Sequence, residues 1–320
     1  VSEFRYCKLY DKEVLFAPNR LKRKIFEPTF ENQASDSCAF DGGNETQTPD
    51  EVARVERSGK WSARIVVNMY NALGVEEAAQ NVKDGFNEKS SGFGAHEVVI
   101  ETPLHRRDFF DFSKEEFSDY FSVLQKRVLS LQKDVRLGYI KIFKNHGFKA
   151  GASMEHSHSQ IIASAYARNA DAAFESRQKE YFFKHRRTLL NDVIYEESQA
   201  KARVIYENER FFVYAPYASS FGFEVIVAAK NKESLRVLSV DDINSLAMIF
   251  RNVFQSYEKC LGRFDFNLDF NAQTIASQEY TNFFIRIIPR LSVVAGYEIA
   301  SGTFINPFMP ETVAKRMREF

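Results

Sequence analysis

Six histidines occur in this chain, and five of them, His96, His105, His146, His156 and His158, fall between residues 96 and 158. The sixth is His185, and the last 135 residues contain none. Imidazole is the commonest metal ligand and a frequent catalytic base or nucleophile. The densest stretch is NHGFKAGASMEHSHSQ, from Asn145 to Gln160. If HSHSQ enters a strand, alternation with period two puts His156, His158 and Gln160 on one face. Just upstream, Gly147, Gly151, Ala152 and Ser153 form a small-residue loop whose backbone amides can approach a phosphate closely. An imidazole beside an anion-holding loop suits nucleophilic attack on phosphorus. It is neutral near pH 7, needs no separate base, and forms a phosphoramidate reactive enough to pass the group on. The Gln160 amide can then stabilise charge on the phosphoryl oxygens. The rival reading of His158, a hydrogen-bonded core histidine, does not explain why a glycine loop leads into HxHxQ.

The elements that must position these residues recur twice. Trp61–Val67 (WSARIVV) and Glu97–Glu101 (EVVIE) read as strands. Ser113 with Glu116 forms a capping box that opens a helix with Phe117, Tyr120, Phe121, Leu124, Val128 and Leu131 along one stripe. Tyr139–Phe143 and His158–Ala163 are further strands. In the second half, Phe211–Ala215 and Phe223–Ala228 are strands. Ser239 with Asp242 caps a helix carrying Ile243, Leu246, Phe250, Val253 and Tyr257, and strands follow at Phe264–Phe270 and Phe283–Pro289. Glu97 maps to Glu224, Ser113 to Ser239 and Asn145 to Asn271, an offset of 126 or 127 residues. Three landmarks at one offset indicate a duplicated α+β unit. The offset puts Phe284 or Ile285 where the first copy has His158, so the chemistry belongs to the first half. Between the copies, residues 171–203 are charged, with interleaved aromatics and no glycine or proline, and read as helix packed on the core.

Composition sets limits. The 320 residues are 44% apolar and 27% charged, enough to bury a core without disulfide or metal staples. With 43 basic and 43 acidic side chains the formal charge is zero, which argues against nucleic acid as a partner. No apolar run reaches the roughly 18 residues of a membrane span. The sequence VSEFRYCKLYDKEVLF is not a secretory signal. Three distant cysteines, Cys7, Cys38 and Cys260, form no disulfide framework. A cytoplasmic protein is expected.

NHGxxxGASxxHxHxQ resembles the active-site signature of the galactose-1-phosphate uridylyltransferase family, the transferase branch of the histidine-triad superfamily. Other segments are similar in the same order: APNRLKR (Ala17–Arg23), CAFDGGNETQTPDE (Cys38–Glu51), WSARIVVNMYNAL (Trp61–Leu73), HEVVIETPLH (His96–His105) and VVAGYE (Val293–Glu298). The resemblance thus spans nearly the whole chain. It implies an α+β fold of two histidine-triad-like halves, each an antiparallel sheet with helices packed on it. The active half would span 1–165, a helical connection 166–205, and a degenerate half with substrate-side and dimer contacts 206–320. It implies that His158 attacks the α-phosphorus of a nucleotide sugar, that a sugar 1-phosphate leaves, and that a second sugar phosphate or phosphate accepts the nucleotidyl group. By the same resemblance Asn145, Gly151, Ser153 and Gln160 hold phosphates, Asn68 lies on the nucleotide side, and Tyr297 and Glu298 contact the hexose. Arg20 and Arg23 reach the sugar phosphate, in relatives often across a homodimer interface.

The family's structural zinc site corresponds here to Cys38, Asp41, His105 and His156, with aspartate where the family has a second cysteine. Zinc accepts all these ligand types, and one oxygen in place of a thiolate weakens binding. The second metal site of some relatives needs histidines in the C-terminal half, so it is expected to be absent. Ser157 replaces the proline of the usual HPHxQ. With NHG and FINPFMPETVAK (Phe304–Lys315), it looks more like the ADP-glucose phosphorylase branch, which leaves uridine and adenine nucleotides both open. Two other readings remain at this level: a histidine-triad hydrolase, with water as acceptor, and a non-catalytic nucleotide-binding protein. His146 reads as a turn residue or supporting donor, and His96 as a cap on the strand that follows.

Overall fold

The computed structural model describes residues 2–22, 38–76, 80–271, 273–274 and 278–319. A hairpin of β1 (Glu3–Cys7) and β2 (Lys12–Phe16) opens the chain. The first half then runs through β3 (Glu51–Arg57), β4 (Lys60–Val67), a small hairpin of β5 (Asn81–Asp84) and β6 (Asn87–Ser90), and β7 (Gly94–Ile100). It continues with α1 (Lys114–Leu131), β8 (Tyr139–His146) and β9 (His158–Ser164). Two connecting helices follow, α2 (Asn169–His185) and α3 (Leu189–Ala200). The second half comprises β10 (Val204–Glu207), β11 (Phe211–Tyr214), β12 (Val225–Ala229), α4 (Val240–Leu261) and β13 (Phe266–Phe270). It ends with β14 (Gln273–Thr274), β15 (Phe284–Pro289), α5 (Gly296–Ser301), β16 (Phe304–Asn306) and α6 (Pro310–Arg318).

The main sheet has the order β10-β11-β12-β15-β13-β8-β9-β7-β4-β3. Read outwards from the β13–β8 seam, the two sides are the same motif: β8-β9-β7-β4-β3 on one and β13-β15-β12-β11-β10 on the other. This is the duplicated α+β fold expected from the offset, and the copies share one sheet. Both helices carry the expected capping boxes, Ser113 with Glu116 and Ser239 with Asp242, each side chain accepting from the N3 amide. Such caps contribute about 1 kcal/mol each. The apolar stripes of α1 and α4 face each other over one side of the sheet, where Phe121 and Phe250 meet edge to face at 4.9 Å. That side is the main core.

Residues 171–203 form two helices, broken where Arg186 adopts φ 58° and Thr188 caps α3. The opening hairpin pairs with β16 in parallel, so residues 3–16 stand with the chain's last strand. Among the described residues no helix is long and apolar enough to cross a membrane.

Candidate active site

His158 begins β9 and lies opposite Ile100 of β7. Ser159 and Ile161 point to the α1 side: the Ser159 hydroxyl meets Tyr120 at 2.9 Å and Ile161 joins the main core. Alternation therefore turns His158 and Gln160 to the other side, with His158 only 6% exposed. Its Nδ1 is 2.8 Å from the His156 carbonyl. A carbonyl can only accept, so Nδ1 carries the proton and Nε2 keeps the lone pair. Burial lowers the His158 pKa below the usual imidazole range, against the opposing bond to the His156 carbonyl. A neutral ring with a free Nε2 is the form that attacks phosphorus.

The two serines of HSHSQ lie beneath it in a buried polar network. The Lys144 ammonium, on β8, donates to Glu101 at 2.6 Å, to Ser157 Oγ at 3.0 Å and to the His158 carbonyl at 3.1 Å. Ser157 donates to Glu101 Oε2 at 2.6 Å, and Ser159 to Glu101 Oε1. Lys144 and Glu101 are each 1% exposed, and all three ammonium protons have acceptors. Such a pair is tolerated in a core because its remaining donors and lone pairs are satisfied.

Gln160 is oriented by His96. The Ala72 amide donates to His96 Nδ1 at 3.0 Å, so the His96 proton sits on Nε2 and points at Gln160 Oε1, 2.8 Å away. That fixes the Gln160 amide with its NH2 turned away from His96, and among the described residues this NH2 has no protein partner. Asn68 lies beside the same ring, its Nδ2 3.1 Å from His96 Nε2 and its Oδ1 accepting from the Tyr70 amide. His96 is thus more than a strand cap. Only the folded arrangement shows its role, because its partners come from two separate segments, 68–72 and β9.

The glycine loop behaves differently from expectation. Its amides at Lys149, Ala150, Gly151 and Ala152 donate to Asp265, Gly147, Phe148 and Gly147 respectively. They hold the loop's own shape and do not form an open phosphate cradle. Gly147 has φ 79°, and a Cβ there would lie 2.1 Å from Asp265 Oδ1, so the position admits only glycine. Ser153 is exposed and lines a polar cavity of about 460 Å³ with Arg106, Asp108 and His146. Asn145 accepts from Asn267 Nδ2 at 2.9 Å through its Oδ1, which leaves its own NH2 for a ligand. His146 stacks on Phe266 at 4.7 Å and lies outside the metal-competent group.

Cys38, Asp41, His105 and His156 present ligand atoms all within 4.8 Å of one another. His156 Nδ1 is 3.8 Å from Cys38 Sγ and 3.1 Å from Asp41 Oδ1, and His105 Nδ1 is 2.9 Å from the same oxygen. Tetrahedral zinc with ligands at about 2.0–2.3 Å needs ligand atoms roughly 3.3–3.8 Å apart. His156 Nε2 lies 2.8 Å from the Thr102 carbonyl and must donate to it, so its Nδ1 lone pair faces the cluster. The donor set and the tautomer fit a metal. Phe40, from the same loop, sets its ring edge-on to His156 and His158 at 5.9 Å each.

Three residues from the resemblance are not joined to His158 by any described contact. Arg20 is exposed on the 3-10 turn Pro18–Lys22. Tyr297 is exposed on α5, and Glu298 caps that helix by accepting from the Ala295 amide at 3.1 Å. Arg23 lies outside the described residues.

The fold is a duplicated α+β unit sharing one sheet, and its relatives place the chain among nucleotidyltransferases. A family model described as galactose-1-phosphate uridyl transferase, N-terminal domain, matches residues 1–167, and one described as a domain of unknown function, DUF4921, matches residues 106–319. ADP-glucose phosphorylase of Arabidopsis thaliana is 32% identical over 99% of this chain and 92% of that protein. Galactose-1-phosphate uridylyltransferase of Thermotoga maritima is 24% identical over 100% of this chain and 98% of that protein. The crystal structure of the Arabidopsis ADP-glucose phosphorylase with bound ADP-glucose matches with a TM-score of 0.84 at 30% identity, covering 100% of this chain and 99% of that one. A uridylyltransferase structure shares the fold, with a TM-score of 0.76 at 18% identity, covering 100% and 98%. The chain belongs to the galactose-1-phosphate uridylyltransferase family.

Proposed function

We propose that this enzyme moves an adenylyl group from ADP-glucose to phosphate through a covalent bond to His158. In the first step His158 Nε2 attacks the α-phosphorus, the phosphorus–nitrogen bond forms, and glucose 1-phosphate leaves with the bonding electrons. In the second, a phosphate oxygen attacks the same phosphorus, the electron pair returns to Nε2, and ADP is released. The neutral, Nδ1-anchored His158 with its free Nε2 carries this reading. The Gln160 NH2, fixed by His96, meets charge developing on the phosphoryl oxygens. Asn145, Gly151 and Ser153 line the phosphates, and Asn68 the nucleoside side.

Adenine is favoured by the relative at 32% identity, an ADP-glucose phosphorylase, and by the structure with bound ADP-glucose at 30%. The UDP-hexose reading rests on the family model and on relatives such as the one at 24%. Tyr297 and Glu298 contact the hexose, and Arg20 and Arg23 reach the phosphate from a second copy of the chain in a homodimer. Cys38, Asp41, His105 and His156 hold zinc, which ties the 38–44 loop to the segment just before the nucleophile. Free cysteines and nucleotide-sugar substrates fit a cytoplasmic setting.

Intact-protein mass after brief mixing with ADP-glucose, and separately with UDP-glucose, tests this without an acceptor. An adenylyl adduct removed by phosphate is the expected result. A uridylyl adduct would move the enzyme to the other branch. Steady release of free sugar phosphate without an adduct or acceptor would mark a hydrolase.

A further inference from the structure

Just past β15, the chain brings to the face of His158 an arginine, Arg290, that no ion pair among the described residues accounts for. Asn267 of β13 lies opposite Asn145 of β8 and Ile288 of β15. Phe143 lies opposite Gln160 in an antiparallel pair, so Asn145, two residues after Phe143, and His158, two before Gln160, are on the same face. Arg290 comes two residues after Ile288, and its amide donates to the Asp265 carbonyl at 2.7 Å, keeping the register. Its side chain therefore shares the face of Asn267, Asn145 and His158.

Arg290 Nη1 donates to Asn267 Oδ1 at 2.9 Å. Asn267 in turn donates through Nδ2 to Asn145 Oδ1 and to the Ala150 carbonyl, both at 2.9 Å. The guanidinium is thus moored to the residues that shape the 147–152 loop. Its carbon lies 5.5 Å from the centre of the Phe221 ring, and its Nε is buried without an acceptor. The carboxylate near this strand, Asp265, is occupied by the Lys149 amide at 2.6 Å. Burial lowers the Arg290 pKa. A half-buried guanidinium with a spare donor and no ion-pair partner among the described residues is suited to an anion brought by a ligand, and phosphate matches its planar fork.

Resting on the proposed transferase reading, we propose that Arg290 binds the phosphate that accepts the nucleotidyl group, and the phosphate of the departing hexose 1-phosphate that occupies the same place. The ligand class is inorganic phosphate or a phosphomonoester dianion. Arg290 sits on the acceptor side of the α-phosphorus, with Asn145 between it and His158. The acceptor is held while its oxygen attacks the phosphorus on Nε2, and the nitrogen–phosphorus electron pair returns to His158.

The test uses the full chain and its R290M, R290K and N267A variants. Each nucleotidyl-enzyme is formed from ADP-glucose, freed of donor, and mixed with rising inorganic phosphate in single turnover. R290M raises the half-saturating phosphate about 10- to 100-fold, the span of one lost charge-assisted hydrogen bond. R290K recovers part of it, N267A shifts it in the same direction by less, and AMP binding stays within twofold. Half-saturation unchanged in R290M overturns the proposal, as does an equal loss of AMP affinity. Phosphorus NMR of inorganic phosphate with the resting proteins gives a second readout that needs no adduct. Broadening with wild type that is lost in R290M supports the site, and equal broadening or none with wild type overturns it. Failure of wild type to form any adduct would sink the transferase reading separately.

Discussion

The strands β9 and β15 occupy the same place in the two halves of the sheet, yet one carries the proposed nucleophile and the other is packed shut. Arg286 pairs with Asp269, Asp269 with Phe143, and Phe143 with Gln160, so Arg286 shares the face of Gln160. Phe284 is then the counterpart of His158, which selects the offset of 126. The undersides differ most. Beneath His158 lie Ser157, Ser159, Glu101, Lys144 and Tyr120 in one hydrogen-bonded network. Beneath Phe284 lie Phe283, Ile285 and Ile287, each at most 1% exposed and wholly apolar. The front faces differ too. Phe284 is covered by Tyr10 and Phe174, while Arg286 is locked to Glu224 at 2.8 Å and stacked on Tyr10. An apolar underlay is the economical way to build this sheet. The polar underlay in the first half holds the backbone of the proposed nucleophile while burying a lysine.

The sharpest way to break the comparison is to remove the proposed nucleophile. His158→Gly should abolish the nucleotidyl adduct and cut turnover about 10,000-fold or more, with the thermal unfolding transition retained. Transplanting the residue should not restore it: Phe284→His in that background should give no adduct by intact mass, because its face is already filled. Lys144→Met should destabilise the fold by about 3–5 kcal/mol in denaturant unfolding, since it leaves Glu101 buried and unpaired. The double variant K144M/E101L should recover most of that stability while adduct formation stays slow. Equal recovery of both would mean the network does nothing for His158. Gln160→Ala should lower kcat about 100-fold, and His96→Ala by less, because it frees the amide to rotate without removing it.

A separate effect is in pH. Burial lowers the His146 pKa to about 3, from an ordinary value near 6.5. Below that ordinary value the unfolded chain binds a proton that the folded one refuses, so stability falls as pH drops from about 6.5 towards 3. His146→Phe should flatten that limb of a stability–pH curve, and no change would show that His146 titrates freely.

Much of this was legible in the residues. The capping boxes at Ser113 and Ser239 are local signals, and the apolar stripes behind them are buried as their spacing implies. The cluster Cys38, Asp41, His105 and His156 assembles from segments far apart in sequence, as the resemblance implies. Lys144 was not legible, because in YIKIFKN it looks like any strand lysine facing water. Its partner Glu101 is 43 residues away, and only the tertiary pairing makes it internal. The loop amides failed for a related reason: spacing shows that small residues are present, but not that Asp265 and the loop's own carbonyls take up their N–H groups. The pairing of β2 with β16 could not be inferred, since a short parallel pair has no turn to announce it.

That last pairing bears on how the molecule is made. Residues 12–16 are made long before the strand that pairs with their outer edge, 304–306. The β13–β8 seam likewise waits for residues 266–269 before β8 gains its second neighbour. Contacts this distant along the chain make folding slow and leave strand edges exposed meanwhile. The first half should therefore reach its final shape only after most of the second half has been translated, which makes the copy without histidines a folding partner for the copy that has them.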